Sequence, residues 1–364
     1  MKDTKLTCTV VGGGNIGTQF AVHLANKGYI TTILSSKAEA FNREIKIIDE
    51  NSEITCKANI SRITKDVKEA IKDADLIFIT VPSNLMSNTA KKISPYLKNN
   101  VKICLVPGSG GGECAFKNDI QKGITVFGLQ RVPSVARVVE TLKTVRCVGY
   151  RKELYVCALP SSKTEECRRI IENIFDIKTI ALPNYLNITL TPSNPILHTS
   201  RLSVLFKDYH EGYYYDSVPL FYEDWDDETS RLLLKCDKEV QNICRAIKDF
   251  DLSYVKSLKE HYESNDEISL TKKIQSIKGF KGLTSPVIKT NKGYIPDFSS
   301  RYFIADFCYG LVILIQIADF FKVEVLNMKS VLEWYLILIP NGDKFSYKDY
   351  GINNVDDFIE FYNR

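Results

Sequence analysis

"TCTVVGGGNIGTQFAVHLANKG" (residues 7–28) decides how the rest of the chain reads. A β-branched run at 7–11 meets three glycines, and a stretch with helical apolar spacing then stops at Gly28. Strand, loop and helix follow one another without a gap. Within the loop, Gly12, Gly14 and Gly17 stand as GxGxxG. The first glycine permits a tight turn, the second lets the backbone approach an anion, and the third lets helix and strand pack in contact. Asn15 and Ile16, between the last two glycines, belong to the same candidate site. GxGxxG alone is weak evidence; its position between a strand and a helix N-terminus, where a diphosphate is stabilised, points to a dinucleotide.

Outward from that unit the alternation continues. "YITTIL" (29–34) is a second strand, and "ADLIFITV" (74–81) and "VKICLV" (101–106) are continuous apolar runs suited to central strands of a parallel sheet covered on both faces. Strands separated by helical segments predict an α/β, doubly wound sheet of Rossmann type. Near residue 124 the pattern changes: "TVRCVGY" and "LYVCAL" flank "RKE" and read as a hairpin appended to the sheet, with one more strand at "IKTIAL" (177–182). After Pro183 strand signals nearly stop. Residues 230–250, 300–321 and 327–338 have helical periodicity, so the expected division is a dinucleotide-binding domain at 1–186 and an all-α domain at 187–364.

Composition narrows the function. A chain of 364 residues suggests about two domains. The net charge of +4 is spread out with no Lys/Arg block, so no nucleic-acid partner is expected and a small molecule is. The most apolar stretch, "YGLVILIQIADFF", is broken by Gln316 and Asp319, and no membrane association is expected. The N-terminus runs into a strand with no room for a signal peptide, and the ten cysteines include no CxxC pair. These features predict reduced thiols, no metal centre and a cytoplasmic location. A homodimer stays open, because oligomeric state leaves no signature here.

The end of the second strand bears on the coenzyme. An Asp or Glu there serves the ribose 2′-hydroxyl of NAD, whereas a 2′-phosphate needs hydroxyls or a cation. The chain has "ILSSK": Ser35, Ser36 and Lys37 are donors, and no carboxylate follows until Glu39. NADP(H) is therefore favoured over NAD(H). Val81 and Pro82, in the "TVPSN" turn after the later strand, are candidates to line the same nucleotide.

Only four histidines exist: His23, His198, His210 and His261. In "TPSNPILHTSR" (191–201), Ser193 or Asn194 suits a helix N-cap and Pro195 the first turn, yet neither explains an imidazole at 198. Hydride transfer to C=O or C=N needs a proton donor or acceptor, commonly His. His198 lies just past the domain boundary and is the best candidate of the four. "PDFSSRYFIADFCYGL" (296–311) offers an Arg and an Asp, but Arg301 and Asp306 sit about 140° apart on a helix at ~100° per residue. Gly310 is a plausible bending point.

The motifs "PGSGGGECAF" (107–116), "FGLQRVPSVAR" (127–137), "NPILHTSR" (194–201), "VPLFYEDWDDETSRLLLKCDKEV" (218–240), "GFKGLTSPV" (279–287) and "PDFSSRYFIADFCYGL" follow in an order that resembles the octopine/nopaline dehydrogenase family. The resemblance implies a Rossmann domain followed by an α-helical domain, and reductive condensation of an amino acid with a 2-oxo acid, pyruvate or 2-oxoglutarate. It implies that His198 is the acid/base and that Arg301 and Asp306 are its companions. One departure stands at Cys308, where the family often has a proline two residues after the Asp.

The acid- and aromatic-rich run 208–228 would suit a cationic amino acid, or would simply start a helix and pack. A 2-oxo acid or glycerol-phosphate reductase of the same superfamily, and a non-catalytic NADPH-sensing protein, are the alternative functions.

Overall fold

The computed structural model describes residues 6–40, 43–140 and 143–364. The chain forms two compact units, one running to Thr189 and also holding Glu360–Arg364, the other Leu190–Ile359.

The first unit is built on the strands β1 (Thr7–Val11), β2 (Ile30–Leu34), β3 (Glu44–Ile48), β4 (Ile54–Asn59), β5 (Arg62–Thr64), β6 (Leu76–Ile79), β7 (Lys102–Leu105), β8 (Thr125–Leu129), β9 (Val135–Glu140), β10 (Thr144–Val148), β11 (Glu153–Leu159) and β12 (Lys178–Ala181). Eight form one sheet in the order β12-β11-β8-β7-β6-β1-β2-β5. From β5 to β8 all neighbours are parallel, and β11 joins β8 antiparallel before pairing parallel with β12. β6 and β8 are buried at every residue, as the apolar runs required.

The remaining four strands make a second sheet, β4-β3-β10-β9. This corrects the expected hairpin: "TVRCV" (β10) pairs with β9 and β3 in the second sheet, whereas "LYVCAL" lies in β11 of the main sheet. The RKE link passes from one sheet to the other. Helix Asn15–Asn26 packs against strands of both, and its residues 17–22 and Leu24 are buried. A helix covered on both sides is apolar nearly all round, and its buried Gln19 satisfies Nε2 by donating to Ser134 Oγ at 2.8 Å. Each of the buried Phe20, Val22 and Leu24 contributes roughly 1.5–3 kcal/mol by leaving water. The last residues group with this unit, where the Tyr362 hydroxyl donates to Glu113 at 2.7 Å and Ser161 N–H to the Arg364 carbonyl at 2.6 Å.

The second unit carries helices Asn194–Leu205, Asp227–Ala246, Glu267–Ser276 and Leu326–Leu338. Asp226 and Asp266 cap two of them, accepting from Thr229 and Ser269 N–H at 2.7 and 2.8 Å. The unit is helical as expected, with one short hairpin added, β13 (Val287–Thr290) and β14 (Gly293–Pro296). Both strands are short and mostly half-exposed or exposed, which leaves little apolar periodicity to read. The segment Arg301–Phe320 is long and apolar enough to cross a membrane, yet most of it is buried inside the protein. Core packing accounts for its composition.

Candidate active site

The glycine loop has the geometry its sequence requires. Gly12 has φ +112°, in the region only glycine enters without strain. A Cβ on Gly17 would lie 1.9 Å from the Gly12 carbonyl oxygen and 2.7 Å from Thr80 Oγ1. The third glycine is therefore a contact between helix and loop. Gly14 is the N-cap of helix Asn15–Asn26; no side chain caps it, the first turn holds no acid, and a Cβ there would meet nothing within 4 Å. Uncapped N–H groups, the positive end of the helix dipole and open space together suit a diphosphate.

Asn15 and Ile16 point elsewhere with their side chains. Asn15 Oδ1 accepts from Val138 N–H at 2.8 Å, and Ile16 packs on the core, which leaves their backbone N–H groups for the loop. Val81 and Pro82 follow β6 in an open turn. Thr80, one residue earlier, is the member sequence reasoning missed. Its hydroxyl donates to the Val11 carbonyl at 3.0 Å and presses against Gly12 and Gly17, which ties the end of β6 to the loop. A hydroxyl directly after a buried strand was its one available signal.

After β2, Ser35 N–H donates to the Thr64 carbonyl at 3.1 Å, and Ser35 Oγ accepts from Lys37 N–H at 3.2 Å. Ser36 and Lys37 are exposed in this turn. Glu39, the first carboxylate to follow, is paired with Lys65.

In the second unit His198 is 2% exposed on helix Asn194–Leu205. The expected cap is corrected: Ser193 stands at the N-cap without a side-chain capping bond, so Pro195 and tertiary packing define the start. His198 Nδ1 lies 2.8 Å from Asp306 Oδ2, and Nε2 lies 2.9 Å from the Tyr222 hydroxyl. Because a carboxylate only accepts, Nδ1 is the protonated nitrogen. In the neutral ring Nε2 then accepts from Tyr222, and in the imidazolium it donates to the Tyr222 oxygen. Burial pushes the Tyr222 phenol well above its ordinary pKa and keeps it protonated.

Asp306 and Arg301 part company as the helical angle requires. Asp306 is buried against His198, while Arg301 is exposed and sits over the Tyr302 ring at 4.9 Å. That ring in turn packs on the His198 imidazole with centroids 4.6 Å apart. Immediately after Asp306 the helix widens into a π-helical turn, Phe307–Leu311. Here Cys308 stands without the proline of the family pattern, and the π-turn supplies the irregularity. A Cβ on Gly310 would come within 3.0 Å of Pro195 Cβ and Cγ, so this glycine lets the π-turn press on the start of the histidine helix.

Tyr222 was not singled out by sequence reasoning, since nothing local distinguishes it among 19 tyrosines. The loop that carries it is held by Arg201, one turn beyond His198 and 1% exposed. Arg201 donates from Nε to the Phe221 carbonyl at 3.1 Å, from one terminal nitrogen to the Asp224 carbonyl at 2.7 Å, and from the other to Asp226 at 2.8 Å. Of the other histidines, His23 bonds Tyr150 and is depressed to about 4, chiefly by burial. His210 is exposed and bonds the Asp208 carbonyl.

A glycine loop ready for a diphosphate, and a helical unit with a buried histidine–aspartate pair, define a pyridine-nucleotide-dependent dehydrogenase. Comparisons with known proteins agree. Residues 181–339 match the family described as NAD/NADP octopine/nopaline dehydrogenase, alpha-helical domain, and residues 7–149 match the NAD-dependent glycerol-3-phosphate dehydrogenase N-terminus. The chain is 27% identical to an opine dehydrogenase of Haliotis discus hannai, over 98% of both chains. It is 25% identical to a tauropine dehydrogenase of Arabella iricolor, over 96% of this chain and 99% of the relative. A solved octopine dehydrogenase, in complex with NADH and L-arginine, shares the fold with a TM-score of 0.83 at 22% identity, covering 98% of each chain. Residues 181–339 thus match the α-helical domain of the octopine/nopaline dehydrogenases, and nearly the whole chain is similar to opine and tauropine dehydrogenases.

Proposed function

We propose that this chain is an opine dehydrogenase: it condenses the amine of an amino acid with a 2-oxo acid and reduces the resulting imine to an N-(carboxyalkyl) amino acid. The observation that carries the reading is the buried His198–Asp306 pair at 2.8 Å, in a helical unit of this family. Bound NAD(P)H supplies the hydride that turns the imine carbon into an amine carbon. The glycine loop and the open helix N-terminus at Gly14 hold its diphosphate. The protein's own task is proton handling. His198, protonated, is the source of the proton with which the carbinolamine hydroxyl leaves as water, an effect typically worth ~10²–10⁴ in rate. Asp306 fixes the Nδ1–H tautomer and stabilises the imidazolium. Arg301, exposed over Tyr302, holds a substrate carboxylate with its planar fork.

Pyruvate and 2-oxoglutarate are the acceptors to try first; the solved octopine dehydrogenase has also been obtained with NADH and pyruvate. The amino acid is less constrained. In the acid-rich run 208–228, Glu223 accepts from Gly282 N–H, Asp224 from Leu220 N–H, Asp226 pairs with Arg201, and Glu228 pairs with Lys207. Four of its acids are thus engaged within the protein. NADP(H) is the preferred coenzyme, supported by the Ser35-Ser36-Lys37 turn and by the engagement of Glu39 with Lys65.

The test is coenzyme oxidation with each 2-oxo acid, with and without an amino acid mixture, using NADPH and NADH in parallel. Amine-dependent turnover, faster with NADPH, is expected. Amine-independent turnover would make the protein a keto-acid reductase, and coenzyme binding without turnover would make it a sensor.

A further inference from the structure

Both ring nitrogens of His198 are already engaged, Nδ1 with Asp306 at 2.8 Å and Nε2 with the Tyr222 hydroxyl at 2.9 Å. A proton leaving Nε2 must therefore displace Tyr222 or pass through it. Displacement is opposed on three sides. The Tyr222 ring stacks on Phe280 with centroids 4.0 Å apart and planes 15° apart, and it lies parallel to Trp225 within 7° at 6.3 Å. The carbonyl of its neighbour Phe221 is fixed by Arg201, whose remaining donors hold Asp224 and Asp226 in the same loop. The ring itself is 6% exposed.

We propose that the Tyr222 hydroxyl is the proton carrier between His198 Nε2 and the substrate; this rests on the opine dehydrogenase reading. The step balances without any further reagent. Nε2–H of the imidazolium gives its proton to the Tyr222 oxygen as the Tyr222 O–H gives its own to the departing carbinolamine hydroxyl. The nitrogen lone pair forms the C=N bond as the C–O bond breaks, water and a protonated imine result, His198 ends neutral, and Tyr222 is a neutral phenol before and after. The two transfers are concerted, since burial disfavours a free phenolate and raises the Tyr222 pKa well above its ordinary value. Arg201 acts through Tyr222 and is a positioning residue.

The experiment is Tyr222→Phe, which keeps the ring stack and removes only the hydroxyl. Expected are a fall in kcat of about 10–100-fold, KM within a few-fold of the parent, and a proton inventory in H2O/D2O mixtures that changes from curved to straight. A kcat within twofold of the parent with the same inventory overturns the proposal, and so does a loss confined to KM. If Tyr222→Phe fails to fold, 3-fluorotyrosine at 222 retains stack and hydroxyl but makes the phenol more acidic. A several-fold change in kcat and in the solvent isotope effect then supports the relay, and no change overturns it. Wild-type protein without amine-dependent turnover would sink the proposed function separately. In that event the ¹⁵N shifts of the His198 ring decide: different shifts in parent and Tyr222→Phe support the Nε2 contact the relay requires, and identical shifts overturn it.

Discussion

In the proposed reaction, Asp306 determines which nitrogen of His198 handles a proton. With the carboxylate 2.8 Å from Nδ1, the other nitrogen carries the exchange, and removing the carboxylate leaves the ring free to adopt the wrong tautomer. Asp306→Asn is expected to lower kcat by about 10²–10⁴, because an amide can meet Nδ1 with an N–H as readily as with an oxygen. His198→Ala is expected to lose turnover to a similar extent while coenzyme affinity, measured by NADPH fluorescence titration, stays within twofold; full residual activity would remove the assignment. At the coenzyme end, Lys37→Ala is expected to lower kcat/KM for NADPH about tenfold and to leave that for NADH nearly unchanged, since an exposed ammonium beside a 2′-phosphate is a partly screened pair. Equal losses with both coenzymes would show that Lys37 does not read the 2′ position.

At the scale of elements, the strand–glycine loop–helix unit is the least tolerant part of the chain. Gly17→Ala puts a Cβ 1.9 Å from backbone oxygen, so the helix must move from the loop. The expected results are destabilisation by about 1–3 kcal/mol in urea unfolding and at least a tenfold loss of NADPH affinity; normal affinity would mean that the close approach is not needed. This unit was legible because its logic is local: one strand, one loop and one helix in consecutive residues. The second sheet was not. β3 pairs with β10, about a hundred residues away in sequence, and β9 and β10 mimic a simple extension of the main sheet. His198 and Asp306 lie 108 residues apart, so periodicity identified both helices but not their meeting. Family motifs supplied the pairing. Tyr222 and Arg201 lay inside quoted motifs, yet their roles appear only when a loop folds back on the histidine helix. The π-turn after Asp306 was likewise invisible, although Gly310 hinted at an irregularity there; the glycine proves to make room for Pro195.

For the whole molecule, buried and half-buried titratable groups shape the response to pH, and their signs oppose one another. His23 is depressed to about 4 by burial, so the native state resists its protonation. Its stabilising contribution is present above the unfolded value of about 6.5 and is lost as pH falls through about 4. Asp237 behaves in the reverse way. It is 4% exposed, its Oδ2 accepts from Leu258 N–H at 3.0 Å, and burial raises it to about 6. The native state then binds this proton more tightly than the unfolded chain does. Its contribution is fully present below the ordinary carboxylate value and is lost as pH rises through about 6. Glu113, buried with Oε1 accepting from Thr189 and Tyr362, is raised for the same reason and adds to the Asp237 trend. Asp237→Asn keeps an acceptor for Leu258 and removes the buried charge. It is expected to raise stability at pH 7.5 by up to about 3 kcal/mol, following from ~1.4 kcal/mol per pKa unit, and to give no gain near pH 4, where the parent carboxyl is protonated. Urea unfolding of both proteins across that range checks the sign. A gain independent of pH would locate the effect in packing, and a loss at pH 7.5 would mean that the ionised carboxylate's bond to Leu258 outweighs the cost of burying it.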